Sequence, residues 1–589
     1  MTGASPTRTG ALVTLAVSGI IGCYVGARGF PEWQVPVETA QVLAGVVRYP
    51  AGNPFFIYHL KLWTVLHQVC AALLAGGVSE IRLSTILSGV TGMVSFQALA
   101  MTTYAFCGRA WFAIVAAMVI FVGRAAEFGV RYPIFLLGTS HTYGTLGLSW
   151  IVLVAALIGC GRYGAGLFLL GVAPAVHPSL GAWLVLVTSL SLMWDRQLIR
   201  QSILPNWKWF AGGALLSTLS LAAHLWTSRG IPAIDAATAS RYLSAFTALW
   251  DEHRQPMGFA NAGVVLNVAA MIVGLLWLTV FDSRLPAAAK FVLRFVCVSG
   301  VVSIACVTIS HVSPDRLPGV LIVLMPTRVV NVNAMMFAAI ILGVISAYRH
   351  QVWAQALSAI MIAGLLLNHR ELLGFGQSTL IALEPRLLTM SVLLAGTGLV
   401  IGGAARDALL RARESSAPSS FRIAADLAVI GIVAAALIPG LLHRPPRTEQ
   451  ATFRDRTNDG LFATAARSSG MLLTGGSLHL AQLRTRRPVL IDGGGLDGLP
   501  YALDGAPETE RILHDVYGID FFHPPPEAHG SGVIPSSFNR AVWESYSVEQ
   551  WQGIRRAYNV TQVLTNNNWT LRLPIVAQNG SYLLYEIPE

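Results

Sequence analysis

The sequence predicts an α-helical polytopic membrane protein of about thirteen transmembrane helices that carries a small C-terminal α/β domain outside the membrane. Three observations predict it. Of 589 residues, 54% are hydrophobic and only 12% charged, with a mean hydropathy of +0.58, far from soluble averages. Apolar runs long enough to cross a hydrocarbon core recur along residues 1–443, and residues 444–589 turn abruptly polar.

The apolar runs begin near positions 10, 83, 110, 143, 163, 178, 209, 260, 290, 329, 351, 384 and 423. The first could pass for a secretory signal, but a soluble mature protein would not go on to carry a dozen more such segments. A further stretch, Phe55 to Leu74, contains His59, Lys61, His67 and Gln68 along one flank and is expected to lie along the membrane surface.

Charge fixes the topology, because cytoplasmic loops are enriched in Lys and Arg. With the N-terminus inside and Phe55 to Leu74 not spanning, the inner loops carry Arg109, Arg162, Arg196, Arg200, Lys208, Arg284, Lys290, Arg349, Arg406, Arg411, Arg413 and Arg422. The acids among them are Asp195, Asp282, Asp407 and Glu414. Counting the stretch as a span would place that basic set outside. The basic cluster before the last span sends the chain out again, so residues 444–589 are expected to be extracytoplasmic. Loops 29–82, 124–142 and 228–259 share that side, and function is sought there.

The net charge of +10 reflects these short clusters between apolar runs, not a nucleic-acid surface. All six cysteines, Cys23, Cys70, Cys107, Cys160, Cys297 and Cys306, lie in or beside apolar segments, which suggests neither a disulfide framework nor a zinc site.

Past the proline-stiffened exit His443-Arg444-Pro445-Pro446-Arg447, the segments GMLLTGG, RPVLID, VTQVLTN, LPIVAQ and SYLLYEIP read as short strands. The last two are joined by Asn579-Gly580, and helical patterns at ETERILHDVYG and SVEQWQGIRRAY alternate with the strands. LIDGGGLDGLP lacks the spacing of a phosphate loop and reads as a flexible surface loop.

In the first outer loop Pro36 is set to open a short helix with Glu38 in its first turn, where the helix dipole favours a carboxylate. Glu38 is there either as a capping residue or as a general base. Arg328, inside the apolar run LIVLMPTRVVNVN, is costly unless it lines a wet cavity, contacts a phosphate or is held in a structural ion pair. The third outer loop adds Arg241, Tyr242, His253 and Arg254 as partners for an anionic group. Lys61, Arg131 and His141 are weaker candidates that also suit an interfacial anchor. His177, before Pro178, reads as a hydrogen-bonded turn histidine.

An acidic residue after the first span, a short helix ending in VLAG, and a YPAGNPFFIY segment running into a non-spanning helix together resemble the first loop of the GT-C superfamily of polyprenyl-phosphate-dependent membrane glycosyltransferases. The resemblance implies a GT-C-like membrane domain and transfer of a sugar from a polyprenyl-phosphate donor to a glycan, lipid or protein acceptor at the outer face of the inner or plasma membrane. It implies catalytic carboxylates at Glu38, with Glu32 the alternative, and at Glu127 in GRAAEFGVRYP. The Asp-Glu pair common in that loop is a lone Glu38 here, and a WWDYG-type signature is missing from the sequence, so single-sugar transfer is expected over block transfer of an oligosaccharide. No cofactor is required, although acid-lined loops of this kind can hold a Mg or Mn ion beside a diphosphate. A lipid or polysaccharide transporter or flippase, or a non-catalytic subunit of an assembly complex, is the alternative; the sequence lacks the paired, broken helices that transporter repeats show.

Overall fold

The computed structural model describes residues 6–29, 31–122, 137, 142–251, 253–280, 285–347, 459–475, 480–492 and 495–589. Expected spans starting near 351, 384 and 423, and the boundary between 443 and 444, lie outside the described residues. Each of the other expected starts falls on a helix except 260, which lies in a turn two residues before the helix Ala262–Val280. Four of these, Arg8–Gly29, Glu80–Cys107, Ala287–Ile309 and Pro326–Val344, are long and apolar enough to cross a membrane.

Helix α1 (Arg8–Tyr24) opens on Thr7, whose hydroxyl accepts from the Gly10 amide, and continues as a π-turn to Gly29. After the first loop the chain returns as α5 (Glu80–Cys107). The two helices press backbone on backbone: a Cβ at Gly22 would meet the Gly92 carbonyl oxygen at 2.2 Å. Small residues allow this approach, which supplies the dispersion contact that holds helices together where lipid is the solvent. Beyond α5 come α6 (Ala110–Val122), α7 (Thr142–Gly159), α8 (Tyr163–Val176) and α9 (Pro178–Met193). At the end of α9, Asp195 accepts from Arg294 of the helix Ala287–Ile309 at 2.5 Å, on the face expected to be cytoplasmic. The helix Trp207–Ser228 leaves Trp207, Leu215, Leu219, Leu225 and Trp226 exposed, an apolar face suited to lipid.

The first loop folds into three short helices: α2 (Val35–Leu43), α3 (Pro54–Lys61) and α4 (Val65–Ala75). Pro36 stands in the first turn of α2 as its sequence predicts. Asn53 caps α3, its side-chain oxygen accepting from Phe55 and Phe56, and Thr64 caps α4. The break between α3 and α4 leaves pieces of about 12 and 16 Å, each well short of a hydrocarbon core of about 30 Å. Phe55 to Leu74 therefore makes no straight crossing.

The C-terminal domain holds one sheet in the order β1-β2-β4-β3, with β1 (Met471–Thr474) parallel to β2 (Val560–Asn566), and β4 (Tyr582–Glu586) antiparallel to both β2 and β3 (Ile575–Gln578). Asn579 shapes the β3–β4 turn by accepting from the Ser581 and Tyr582 amides. The helices Ala506–Tyr517 and Val548–Tyr558 form where their patterns predict. RPVLID is not the strand expected. It makes a single bridge, Val489 to Leu472, and then leaves the sheet because its next groups are taken by the first loop, Leu490 O accepting from Asn53 at 3.0 Å.

The third loop contributes the helix Ala236–Ala245 and a π-turn to Trp250, which dock on this domain. Tyr242, Phe246 and Trp250 bury themselves with Tyr517, Phe521 and Trp543 in one core, and the Trp250 indole donates to Phe521 O at 2.8 Å. The first loop, the third loop and the C-terminal domain thus lie on one side of the helical bundle.

Candidate active site

Helix α2 is fixed from both sides. The Gln482 amide donates to Glu38 O at 2.9 Å, while its own oxygen accepts from the Tyr49 hydroxyl at 2.6 Å. Gln41 donates to both Glu80 and Leu483 O, and Arg486 grips Glu80 through two bonds of 2.6 and 2.9 Å. Glu80 is buried at the first turn of α5, so α2, α5 and the C-terminal domain are joined around one charge-assisted pair.

Between them lies a cavity of about 520 Å³. The first loop supplies Glu38, Phe55, Tyr58, His59, Lys61, Trp63 and His67; the bundle supplies Tyr143, His177 and Arg328; the C-terminal domain supplies Gln482, Asp492, Asp497 and Tyr501.

Burial raises the Glu38 carboxyl to about 8, with the Asp492 charge adding to it against the opposing Leu483 amide. A carboxyl so placed gains a proton affinity near the working pH, which a general base needs. His59, bonded to Thr39 at 2.9 Å, is held neutral by burial, its pKa lowered to about 3. His67 receives or gives hydrogen bonds to Thr64 and Tyr143, and so fixes the Tyr143 hydroxyl on the cavity wall. His177 accepts from the Leu180 amide at 3.2 Å, the turn role its sequence suggests, while also facing the cavity.

Lys61 lines the cavity and pairs with Asp504 at 2.8 Å. Arg328 enters through a tight turn, Pro326–Val329, launched by Met325 in the left-handed region at φ 44°. Burial would raise the Asp497 carboxyl, but His253, Arg254 and Arg328 outweigh it and hold the group below its usual value. Asp497 is therefore the anchor of the cationic end of the cavity.

Several candidates from the sequence stand elsewhere. Arg254 does not line the cavity: it is buried in a pair with Asp251 at 2.6 Å, donates to Ile322 O, and lies over the Tyr501 ring, so its charge is committed to holding the wall. His253 is not on the cavity wall but pairs with Asp497, which is, at 3.4 Å. Tyr242 gives its hydroxyl to Glu510 in the interface with the C-terminal domain. Arg241 is exposed and stacks on Phe522, its guanidinium 4.2 Å from the ring centre. Glu32 also stands off the cavity wall, its backbone amide near Ser88. Glu127, Arg131 and His141 lie outside the described residues.

The Gly-rich segment, expected to be a flexible surface loop, is instead packed against α3 over its described residues 495–498. A Cβ at Gly495 would meet the Phe55 ring at 2.2 Å, and one at Gly498 the Tyr58 ring at 2.6 Å. These glycines let two aromatic rings seat against backbone, which brings Asp492 and Asp497 to the cavity. Their sequence signal is a pair of acids among glycines after a buried run, and nothing local says what they face. Among the described residues no group of three or more His, Cys, Asp or Glu side chains is arranged as a metal site.

Fold and site together define a helical membrane protein whose polar loops and α/β domain close over a cavity lined by Glu38, a carboxyl of raised pKa, and by Lys61 and Arg328. No family model matches the sequence, and no curated protein matches it. Among solved structures the chain is similar to ArnT from Cupriavidus metallidurans bound to undecaprenyl phosphate, at 15% identity and a TM-score of 0.41, with 98% of each chain covered. It is similar also to the same protein in the apo state, at 13% identity and a TM-score of 0.42, again over 98% of each chain.

Proposed function

We propose that this protein is a GT-C-type membrane glycosyltransferase that moves a single sugar from a polyprenyl-phosphate donor to a glycan, lipid or protein acceptor at the extracytoplasmic face. The observation that carries the reading is the cavity itself, in which Glu38 shares a space of about 520 Å³ with Lys61 and Arg328. A lipid flippase or a scaffold has no use for a base beside cations, whereas glycosyl transfer needs both.

In this mechanism the acceptor hydroxyl or amine attacks the anomeric carbon and Glu38 takes its proton. The bond between that carbon and the phosphate oxygen breaks, and the electron pair leaves with the phosphate. Lys61 and Arg328 neutralise the departing charge. Asp497 holds the cationic end in place, and neutral His59 keeps hydrogen-bonding capacity at the wall without adding charge. The reaction is tested by supplying purified protein with undecaprenyl phosphate carrying single sugars and assaying transfer.

Glu38 acts only when ionised, so its raised pKa has a direct kinetic consequence. The kcat/KM for transfer rises with pH and levels off above about 8, falling about tenfold per unit on the acid side. A flat profile between pH 6 and 9 removes Glu38 as the base.

The membrane domain of residues 1–443 and the extracytoplasmic domain of residues 444–589 carry their own test. A cysteine probe at Gly553, where a side chain meets open space, is labelled from outside intact cells, and one at Ser416 only after permeabilisation. Labelling of both from the same side contradicts the charge-based topology.

A further inference from the structure

We propose that the C-terminal domain reads the sugar: Val489–Asp492 and Gly495–Tyr501 form a carbohydrate subsite in which Asp492 accepts hydrogen bonds from hydroxyls of the transferred ring. The proposal rests on the transferase reading above.

The cavity has two chemical ends. Asp497 belongs to the cationic end, since His253, Arg254 and Arg328 all act on it. Asp492 belongs to the other, where its charge acts on Glu38. The anomeric carbon must lie between phosphate and base, so a ring reaching from one end to the other passes the Asp492 carboxylate. That group accepts only, through two oxygens, and suits the adjacent hydroxyls of a sugar. Tyr58 and Tyr501 line the same cavity and add apolar aromatic surface to it. The volume of about 520 Å³ lies within the range of small-molecule sites.

Specificity also requires a rigid wall. This one is pinned at its start by Asn53 donating to Leu490 O at 3.0 Å and by the Val489 amide donating to the Tyr49 hydroxyl at 3.1 Å. Phe55 and Tyr58 seated on Gly495 and Gly498 hold its middle, and the Lys61–Asp504 pair lies just beyond.

The test compares two ligands on the full-length protein in detergent: undecaprenyl phosphate, and undecaprenyl phosphate bearing glucose, mannose or arabinose, whichever the wild type binds most tightly. Asp492→Ala weakens the sugar-bearing ligand by about tenfold or more and leaves undecaprenyl phosphate unchanged within about twofold. Asp492→Asn, which keeps one acceptor, falls between and shows the loss is not one of folding. Equal losses for both ligands in both variants, or no loss for either, overturn the subsite. A wild type that binds neither ligand strikes the transferase reading itself, and the subsite falls with it.

Discussion

Replacing Glu38 by Gln lowers sugar transfer by a factor on the order of 10² to 10⁴ and leaves donor binding in place. The amide preserves size and most hydrogen bonding, so the contacts that seat α2, among them Gln482 to the Glu38 carbonyl, remain. What it removes is the proton acceptor, and with it the acid limb of the pH profile. The loss falls on kcat, because the proton moves only in the transition state. Equilibrium binding of undecaprenyl phosphate and single-turnover transfer, measured on the same monodisperse preparation, separate the two effects. Full activity in Glu38→Gln, together with full activity in Glu32→Gln and Glu127→Gln, sinks carboxylate catalysis in the outer loops.

Arg328→Ala weakens donor retention and turnover together, by a combined factor on the order of 10² to 10³ in kcat/KM. Its charge acts on a phosphate present in both ground and transition states, so the signature differs from that of Glu38. The change also removes one of the groups, with Arg254 and His253, that hold the Asp497 carboxyl below its usual value, and the cationic end of the cavity loses its balance. Arg328→Lys restores part of the binding because charge returns without the planar fork. Collapse of the alanine variant in detergent would assign Arg328 to structure.

The membrane class was legible because a spanning segment must satisfy its own backbone and present apolar side chains throughout, a constraint that acts locally. The place of Glu38 in its helix was legible for a similar reason: Pro36 opens α2 and sets Glu38 in the first turn. Arg328 stood out because a cation in an apolar run has few tolerable settings. Asp492 and Asp497 were not legible. Their place in the cavity depends on contacts with Asn53, Phe55 and Tyr58, more than 430 residues away in the chain. Glycines that admit an aromatic ring look, in isolation, the same as glycines that make a loop flexible. The third loop misled in the opposite sense. Arg241, Tyr242 and Arg254 have the chemistry of an anion site, yet the loop buries Phe246 and Trp250 in the C-terminal domain, and its polar groups serve that docking.

The central claim is that the cavity receives a polyprenyl phosphate with its head group against Lys61 and Arg328 and beside Glu38. A cryo-electron microscopy map of the protein with undecaprenyl phosphate tests it most directly. The account predicts phosphate density about 3 Å from the Lys61 ammonium and the Arg328 guanidinium, with the prenyl chain running out toward the bundle. Density for the head group elsewhere on the protein, or a cavity without lipid at saturating concentration, contradicts it.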